Sequence, residues 1–447
     1  MNQILIIGAG RSATSLISYM LKHSEEQGWY IIVADTDLEL AQKKIDGHPN
    51  GRAVWLDVTK VNDRKDLIVR AALVISLLPA HLHLEVAHDC IRLNKHLITA
   101  SYVSKELYRL GDEARDRELI FMGEMGLDPG VDHMSAMRHL NNIRERGGKV
   151  LKFKSHTGGL IAPESDDNPW HYKFTWNPRN VVLAGQGTAQ YLDSGKLKFI
   201  PYSRLFGEYE MIKIPGFGPL EAYPNRDSLL YSDIYGLKDV PTILRSTLRH
   251  VGFCDAWNAL IKIGLTDGSF PILKSGDISY HELMDGYTRP LNTSGSVKDR
   301  IALLLNEEPN SEVMHKLEWL GLFRKKKINL PNATPALILE HLLKEKWALQ
   351  EDDIDMVIMH HEFEYELEGK TKHLTSTLVM RGENSQETAM AKLVGIPLGI
   401  CAKLLMQGKI SSKGVQIPVM KEVYEPVLNE LEADYGVVFQ DQLIDIG

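Results

Sequence analysis

Ile4-Leu5-Ile6-Ile7-Gly8-Ala9-Gly10-Arg11-Ser12-Ala13 decides the fold: a short apolar run followed by G-x-G-x-x-A. Ile4–Ile7 is apolar at every position, which suits a strand buried on both faces. Gly8 permits a tight turn, Gly10 lets backbone approach a pyrophosphate, and Ala13 is small enough for a helix to pack on the strand. The helix that starts at Ser12 offers unpaired N–H groups and partial positive charge to phosphates. Arg11 stands where it can meet a pyrophosphate or a 2′-phosphate. The glycine pattern alone is weak; between a strand and a helix it is strong.

Outward from it, short β-branched runs alternate with helical stretches up to about residue 125. Tyr30–Ala34, Ala53–Leu56, Leu73–Leu77, His96–Thr99 and Leu119–Met122 read as further strands. Ser12–Lys22, Leu38–Lys44, Val61–Val69, Leu82–Leu93 and Lys105–Arg117 show helical spacing. Parallel neighbours need crossover helices, so this is a Rossmann-type doubly wound parallel sheet.

Asp35 ends the second strand, 22 residues after Ala13. A carboxylate there accepts hydrogen bonds from ribose hydroxyls and repels a 2′-phosphate, so the sequence predicts NAD rather than NADP. Thr36 lies beside it, and Thr36 or Asp37 can cap the next helix. Asp57, with Val58, follows the third strand and is placed to reach the adenine edge; a turn-forming Asp fits equally. Ser76-Leu77-Leu78-Pro79 closes the fourth strand and should pass beneath the nicotinamide half of the cofactor. Ser101-Tyr102-Val103-Ser104 lies on the same edge after the fifth.

The chain has 447 residues, formal net charge −8, 44% hydrophobic and 25% charged residues, which excludes a disordered or collagen-like chain. Mild acidity argues against nucleic-acid or anionic-membrane partners. Three widely spaced cysteines exclude a disulfide framework or thiolate zinc site. No signal segment and no apolar run near bilayer-spanning length is read, so a soluble cytoplasmic protein is expected. The pairs His81-x-His83 and His360-His361 lack the spacing and third ligand of a zinc site, and no metal is expected.

Beyond residue 130 the alternation stops, which puts a border near Gly123–His133. Val150–Lys154, Leu197–Pro201 and Glu208–Ile214 read as strands. A helical region runs from about Ala256 to Ala348, with Val297–Leu305, Glu312–Leu320 and Pro335–Glu345 clearest. Asp355–Leu367 and His373–Arg381 return to strand, and a long helix spans Gln386–Gln407. The pattern is a mixed α/β substrate domain with a helical insertion.

Several strings resemble the glutamate-forming saccharopine dehydrogenase (saccharopine reductase) family. They are Ser76-Leu77-Leu78-Pro79, Thr99-Ala100-Ser101-Tyr102-Val103-Ser104 and Gly126-Leu127-Asp128-Pro129-Gly130-Val131-Asp132-His133-Met134. Gly158-Gly159-Leu160-Ile161-Ala162-Pro163-Glu164, Tyr223-Pro224-Asn225-Arg226-Asp227-Ser228 and Arg245-Ser246-Thr247-Leu248-Arg249 continue the set in order. The resemblance implies a Rossmann domain (1–128), a mixed α/β substrate-binding and dimerisation domain (129–255 and 350–395) and a helical insertion (256–349). Residues 396–447 would pack back on the first domain, and the molecule would be a homodimer. It implies cleavage of saccharopine with NAD and water to glutamate and 2-aminoadipate semialdehyde, in lysine breakdown. Lysine 6-dehydrogenase, carboxynorspermidine dehydrogenase and homospermidine synthase share the fold, and a non-catalytic NAD-binding sensor or scaffold also fits the glycine loop.

Oxidising a secondary amine needs hydride transfer, a base that keeps the amine neutral, and proton relay for imine hydrolysis. Saccharopine carries three carboxylates, so its pocket should hold arginine. Arg226 is the first choice as anchor; Arg245 and Arg249 come next, on one face if that stretch is helical. Ser101 and Tyr102 can hydrogen-bond a substrate carboxylate or amine. Asp128 can bind an ammonium or accept its proton, against a turn-stabilising Asx role. His133 has the intrinsic pKa for acid–base work, though with 17 histidines in the chain a lone one is more often structural.

Overall fold

In the computed structural model, residues 1–289 and 294–446 are described; 290–293, in the expected insertion, and 447, at the chain end, lie outside the described residues. The chain divides into two compact units. The first holds Met1–Lys149, Glu366–Lys370 and Leu378–Gln440; the second holds Val150–Tyr365, Thr371–Thr377 and Asp441–Gly447.

The first unit is built on strands β1 (Asn2–Ile7), β2 (Trp29–Asp35), β3 (Gly51–Trp55), β4 (Leu73–Ser76), β5 (His96–Thr99) and β6 (Ile120–Met122). Helices α1 (Ala13–Lys22), α2 (Leu38–Ile45), α3 (Val61–Ile68) and α4 (His83–Arg92) provide crossovers. All neighbours run parallel, in the order β6-β5-β4-β1-β2-β3. Ile4–Ile7 and Leu73–Ile75 are wholly buried, as apolar runs covered by helices on both sides must be. Gly414–Gln416 adds a seventh strand beside β6, which the sequence pattern does not reveal. The stretch expected as one helix over Lys105–Arg117 is two, Lys105–Tyr108 and Gly111–Asp116. Their junction is where this seventh strand passes: a Cβ on Gly414 would lie 2.8 Å from the Gly111 carbonyl oxygen.

The border expected after residue 128 falls later, because the helix Val131–Glu145 belongs to the first unit. There it packs with the helix Lys421–Tyr435, and Asn141 donates to the Tyr424 hydroxyl at 2.9 Å. The expected long helix spans Ala389–Met406. Its 18 residues are apolar enough to cross a membrane by length and composition, contrary to the expectation that no run approaches that length; 78% of them are buried in the unit. It is a core helix pressed on α1: a Cβ on Gly395 would sit 2.5 Å from the Leu16 nitrogen.

The second sheet is mixed. Its strands run in the order Glu210–Ile214, Gly218–Pro224, Thr242–Arg249, Lys149–Ile161, Asp355–Leu367, Lys370–Arg381 and Phe439–Asp445. The hairpin Thr188–Asp193/Lys196–Pro201 pairs with Thr242–Arg249. The helical region of this unit encloses an aromatic core around Trp170, Trp257 and Trp347. Ser279 with Glu282 and Ser296 with Asp299 form capping boxes that start two of its helices.

Gly395→Ala provides a test of the α1 packing. Alanine is intrinsically the better helix former by about 1 kcal/mol. The added methyl meets backbone, so the variant is expected to melt lower, by the equivalent of about 1–3 kcal/mol. A higher melting temperature would refute the close contact.

Candidate active site

The carboxyl ends of a doubly wound sheet open a crevice where the strand order reverses, here between β1 and β4. Gly8 sits at its lip with φ +108°, and a Cβ there would be 3.0 Å from the Leu77 carbonyl oxygen. Gly8 N–H donates to the Ala34 carbonyl at 2.8 Å, which fixes the loop on β2. A Cβ on Gly10 would meet nothing within 4 Å, so this face of the loop is open to a ligand. Ala13 is buried. Ser12 makes no side-chain cap and the first turn of α1 carries no acid, so no negative charge on this turn opposes an anion at its N-terminus. Arg11 is exposed on the loop. These residues fit a dinucleotide pyrophosphate.

Asp35 does not stand as a free ribose acceptor. Its Oδ2 accepts from Ala9 N–H at 2.6 Å and its Oδ1 from Asp37 N–H at 2.9 Å, with the Thr36 hydroxyl at 3.3 Å. Asp37, rather than Thr36, caps α2 through Leu40 N–H. Lys44 crosses from α2 to donate to the Gly10 carbonyl and, at 2.9 Å, to the Thr14 hydroxyl. Burial pulls its pKa down to about 8, against the opposing attraction of Asp35. Asp57 is a turn former, accepting from Thr59 N–H at 3.0 Å and Thr59 Oγ1 at 2.7 Å. Val58 is buried, its carbonyl held by Arg64, which also pairs with buried Asp89 at 2.7 Å.

Ser76 at the end of β4 is fully buried, and Leu77 and Leu78 follow it along the crevice. The Ser76 hydroxyl bonds His83 Nδ1 at 2.9 Å. His83 Nε2 faces Ser101 Oγ at 2.8 Å and Thr99 Oγ1 at 3.2 Å. In the sequence His83 stands out only as half of a pair poorly spaced for zinc. Its actual partners lie at the ends of β4 and β5, contacts that local spacing does not encode. Burial lowers its pKa to about 4.

Tyr102 donates its hydroxyl proton to Asp128 Oδ1 at 3.0 Å, and both residues are half-buried. The turn that presents Asp128 requires Gly130: at φ +147°, a Cβ there would collide with the Gly126 backbone. His133 is corrected from acid–base candidate to internal brace. It is fully buried, bonds Glu124 at 2.8 Å and lies 3.7 Å from Asp132. Glu124, which no local motif marks, also accepts from Val103 N–H at 3.0 Å and so fixes the backbone next to Tyr102. Ser101, Tyr102 and Asp128 are therefore brought to one edge.

In the second unit, Arg226 is exposed at φ +50°, its carbonyl accepting from Gln190 N–H at 2.9 Å. Arg245 and Arg249 lie on the strand Thr242–Arg249, not on a helix; even spacing still gives them one face. Both are buried. Arg245 stacks on Tyr231 at 4.5 Å, and Arg249 lies against Tyr172, Tyr223 and Phe253.

Two family models match. One described as saccharopine dehydrogenase NADP binding domain covers residues 4–122; another, saccharopine dehydrogenase C-terminal domain, covers 126–437. The saccharopine dehydrogenase (NADP(+), L-glutamate-forming) of Pyricularia oryzae is 33% identical over 99% of both chains. That of Schizosaccharomyces pombe is 32% identical over the full length of both. An alpha-aminoadipic semialdehyde synthase of Arabidopsis thaliana is 35% identical over 98% of this chain, which spans 44% of that protein. The solved apo saccharopine dehydrogenase (L-Glu forming) of Saccharomyces cerevisiae superposes with TM-score 0.87, at 31% identity and 99% coverage of this chain and 100% of that one. The names of the Pyricularia oryzae and Schizosaccharomyces pombe relatives and of the NADP binding domain model specify NADP and overturn the expectation of NAD.

The buried imidazole makes stability pH-dependent. With its folded pKa depressed from 6.5 to about 4, His83 contributes stability that is complete above 6.5 and is lost as pH falls towards 4. Between pH 7 and 4.5 the loss is roughly 2–3 kcal/mol. Urea midpoints at the two pH values should converge in His83→Gln relative to the unsubstituted protein; an unchanged gap would contradict this burial.

Proposed function

Because the chain belongs to the saccharopine dehydrogenase family, we propose that it is an NADP-dependent oxidoreductase of lysine metabolism that cleaves saccharopine. Water and saccharopine give L-glutamate and 2-aminoadipate 6-semialdehyde, while NADP⁺ becomes NADPH with release of a proton. The observation that carries this reading is the Tyr102–Asp128 pair, hydrogen-bonded at 3.0 Å and half-buried on the edge that also bears Ser101.

Bound NADP⁺ supplies the hydride acceptor for the carbon beside the secondary amine. The residues of this chain handle protons and position. Asp128, accepting from Tyr102, takes the proton of the substrate ammonium and leaves a neutral amine able to release hydride. Once that proton has passed to solvent, the same pair removes a proton from the water that attacks the imine carbon and returns one to the departing glutamate nitrogen. Ser101 holds a polar group of the substrate. The loop Gly8–Ala13 would hold the pyrophosphate. Arg11 and Lys44 bring positive charge to that loop, and the carboxylate of Asp35 is engaged by backbone, which supports a phosphorylated ribose.

Tyr102→Phe and Asp128→Asn should each lower kcat by about 10²–10⁴-fold without matching loss of NADPH affinity. Turnover of another amine in place of saccharopine would overturn the assignment of substrate. NADPH should bind at least about tenfold tighter than NADH, with the difference narrowed in Arg11→Ala. Equal affinities by calorimetry would defeat the cofactor reading.

A further inference from the structure

His83 is the first residue of α4, and its ring spans two crevice loops. Nδ1 meets Ser76 Oγ at 2.9 Å, seven residues back, which closes the loop Leu77–Leu82 on itself. Nε2 meets Ser101 Oγ at 2.8 Å and Thr99 Oγ1 at 3.2 Å, while Thr99 Oγ1 also accepts from Ser101 N–H at 3.2 Å. Ser76, Thr99 and His83 are buried and Ser101 is half-buried, so only the Ser101 end of this chain of hydrogen bonds reaches the crevice.

We propose that His83 is a positioning residue with two separable halves: Nδ1 pins the cofactor-side loop Leu77–Leu82, and Nε2 fixes the direction of the Ser101 hydroxyl towards substrate. A neutral imidazole carries one proton on one nitrogen and a lone pair on the other. The tautomer therefore decides whether Ser101 offers the crevice its proton or its lone pairs. Burial keeps the ring neutral at working pH, its pKa being about 4, so it adds no positive charge beside an oxidised nicotinamide. The second half of this inference rests on the reading above that Ser101 contacts the substrate.

The test exploits geometry. An asparagine amide reaches the place of Nδ1 and a glutamine amide that of Nε2. His83→Asn should therefore keep the NADPH dissociation constant, read by fluorescence titration without substrate, and lose about tenfold in kcat/KM for saccharopine. His83→Gln should show the reverse, with NADPH binding weakened severalfold and kcat/KM at saturating NADP⁺ largely retained. His83→Ala should lose both. In a Ser101→Ala background, the kcat/KM loss of His83→Asn should vanish. If Asn and Gln variants lower both quantities alike, with a lowered melting temperature, the role is structural and the proposal is overturned. If Ser101→Ala is itself fully active, the reading of Ser101 fails and the Nε2 half falls with it; an impaired Ser101→Ala without the crossed pattern overturns the assignment of His83 alone.

Discussion

The first unit depends on the close passage of β1 and β4 at their carboxyl ends, where Ile7 lies in register with Ser76. Right-handed crossovers send the chain to opposite sides of the sheet after these two strands, so the loops must diverge and leave a gap. The gap forms only if the turn after β1 can pass the turn after β4. Gly8 provides this, with no side chain against the Leu77 carbonyl and φ in the region glycine adopts at little cost. A side chain there would push on Leu77, hence on the loop that ends at His83. The phosphate cradle and the hydrogen-bond chain to Ser101 are thus set by one steric condition.

Within that gap, most ionisable groups are committed to holding backbone. Asp35 takes two N–H groups, Glu124 takes Val103 N–H and His133, and His83 is kept neutral by burial. A buried carboxylate with strong donors stays in place because removing either partner leaves an unsatisfied group, which costs about 1–3 kcal/mol or more. Against this fixed frame, Tyr102 and Asp128 are half-buried, close enough to share a proton and near enough to solvent to exchange one. Rigid surroundings and one adaptable pair are what repeated proton transfer at a single centre requires.

How much of this the sequence discloses depends on the range of the forces involved. Ile4–Ile7 and Leu73–Ile75 are legible because double-sided burial demands unbroken apolar runs. The sheet order follows from crossover rules. Gly414–Gln416 is hidden, since three residues beginning with glycine carry no period, and its strand exists only because β6 offers an open edge. The Arg245–Arg249 stretch misleads because spacing by four gives one face in helix and strand alike. Gly8, Gly10, Ala13, Tyr102 and Asp128 can be singled out from local strings, yet the Tyr102–Asp128 bond joins residues 26 apart. The roles of His83 and Glu124 are hidden for the same reason: each acts on another strand's loop.

Asp35 shows the limit most sharply. Its place at the end of β2 is plain in the sequence, and position alone argues that its charge repels a ribose phosphate. Repulsion, however, depends on the net field, not on the presence of a carboxylate. Here two backbone N–H groups point into its oxygens, and Lys44, drawn towards the same loop, stands as its counter-charge. Arg11 adds a second cation on the loop surface. With its oxygens engaged and two cations on the loop, the carboxylate is not the bare charge that the isolated aspartate implies. The lone pairs of a residue, rather than its place in the chain, determine what it can recognise.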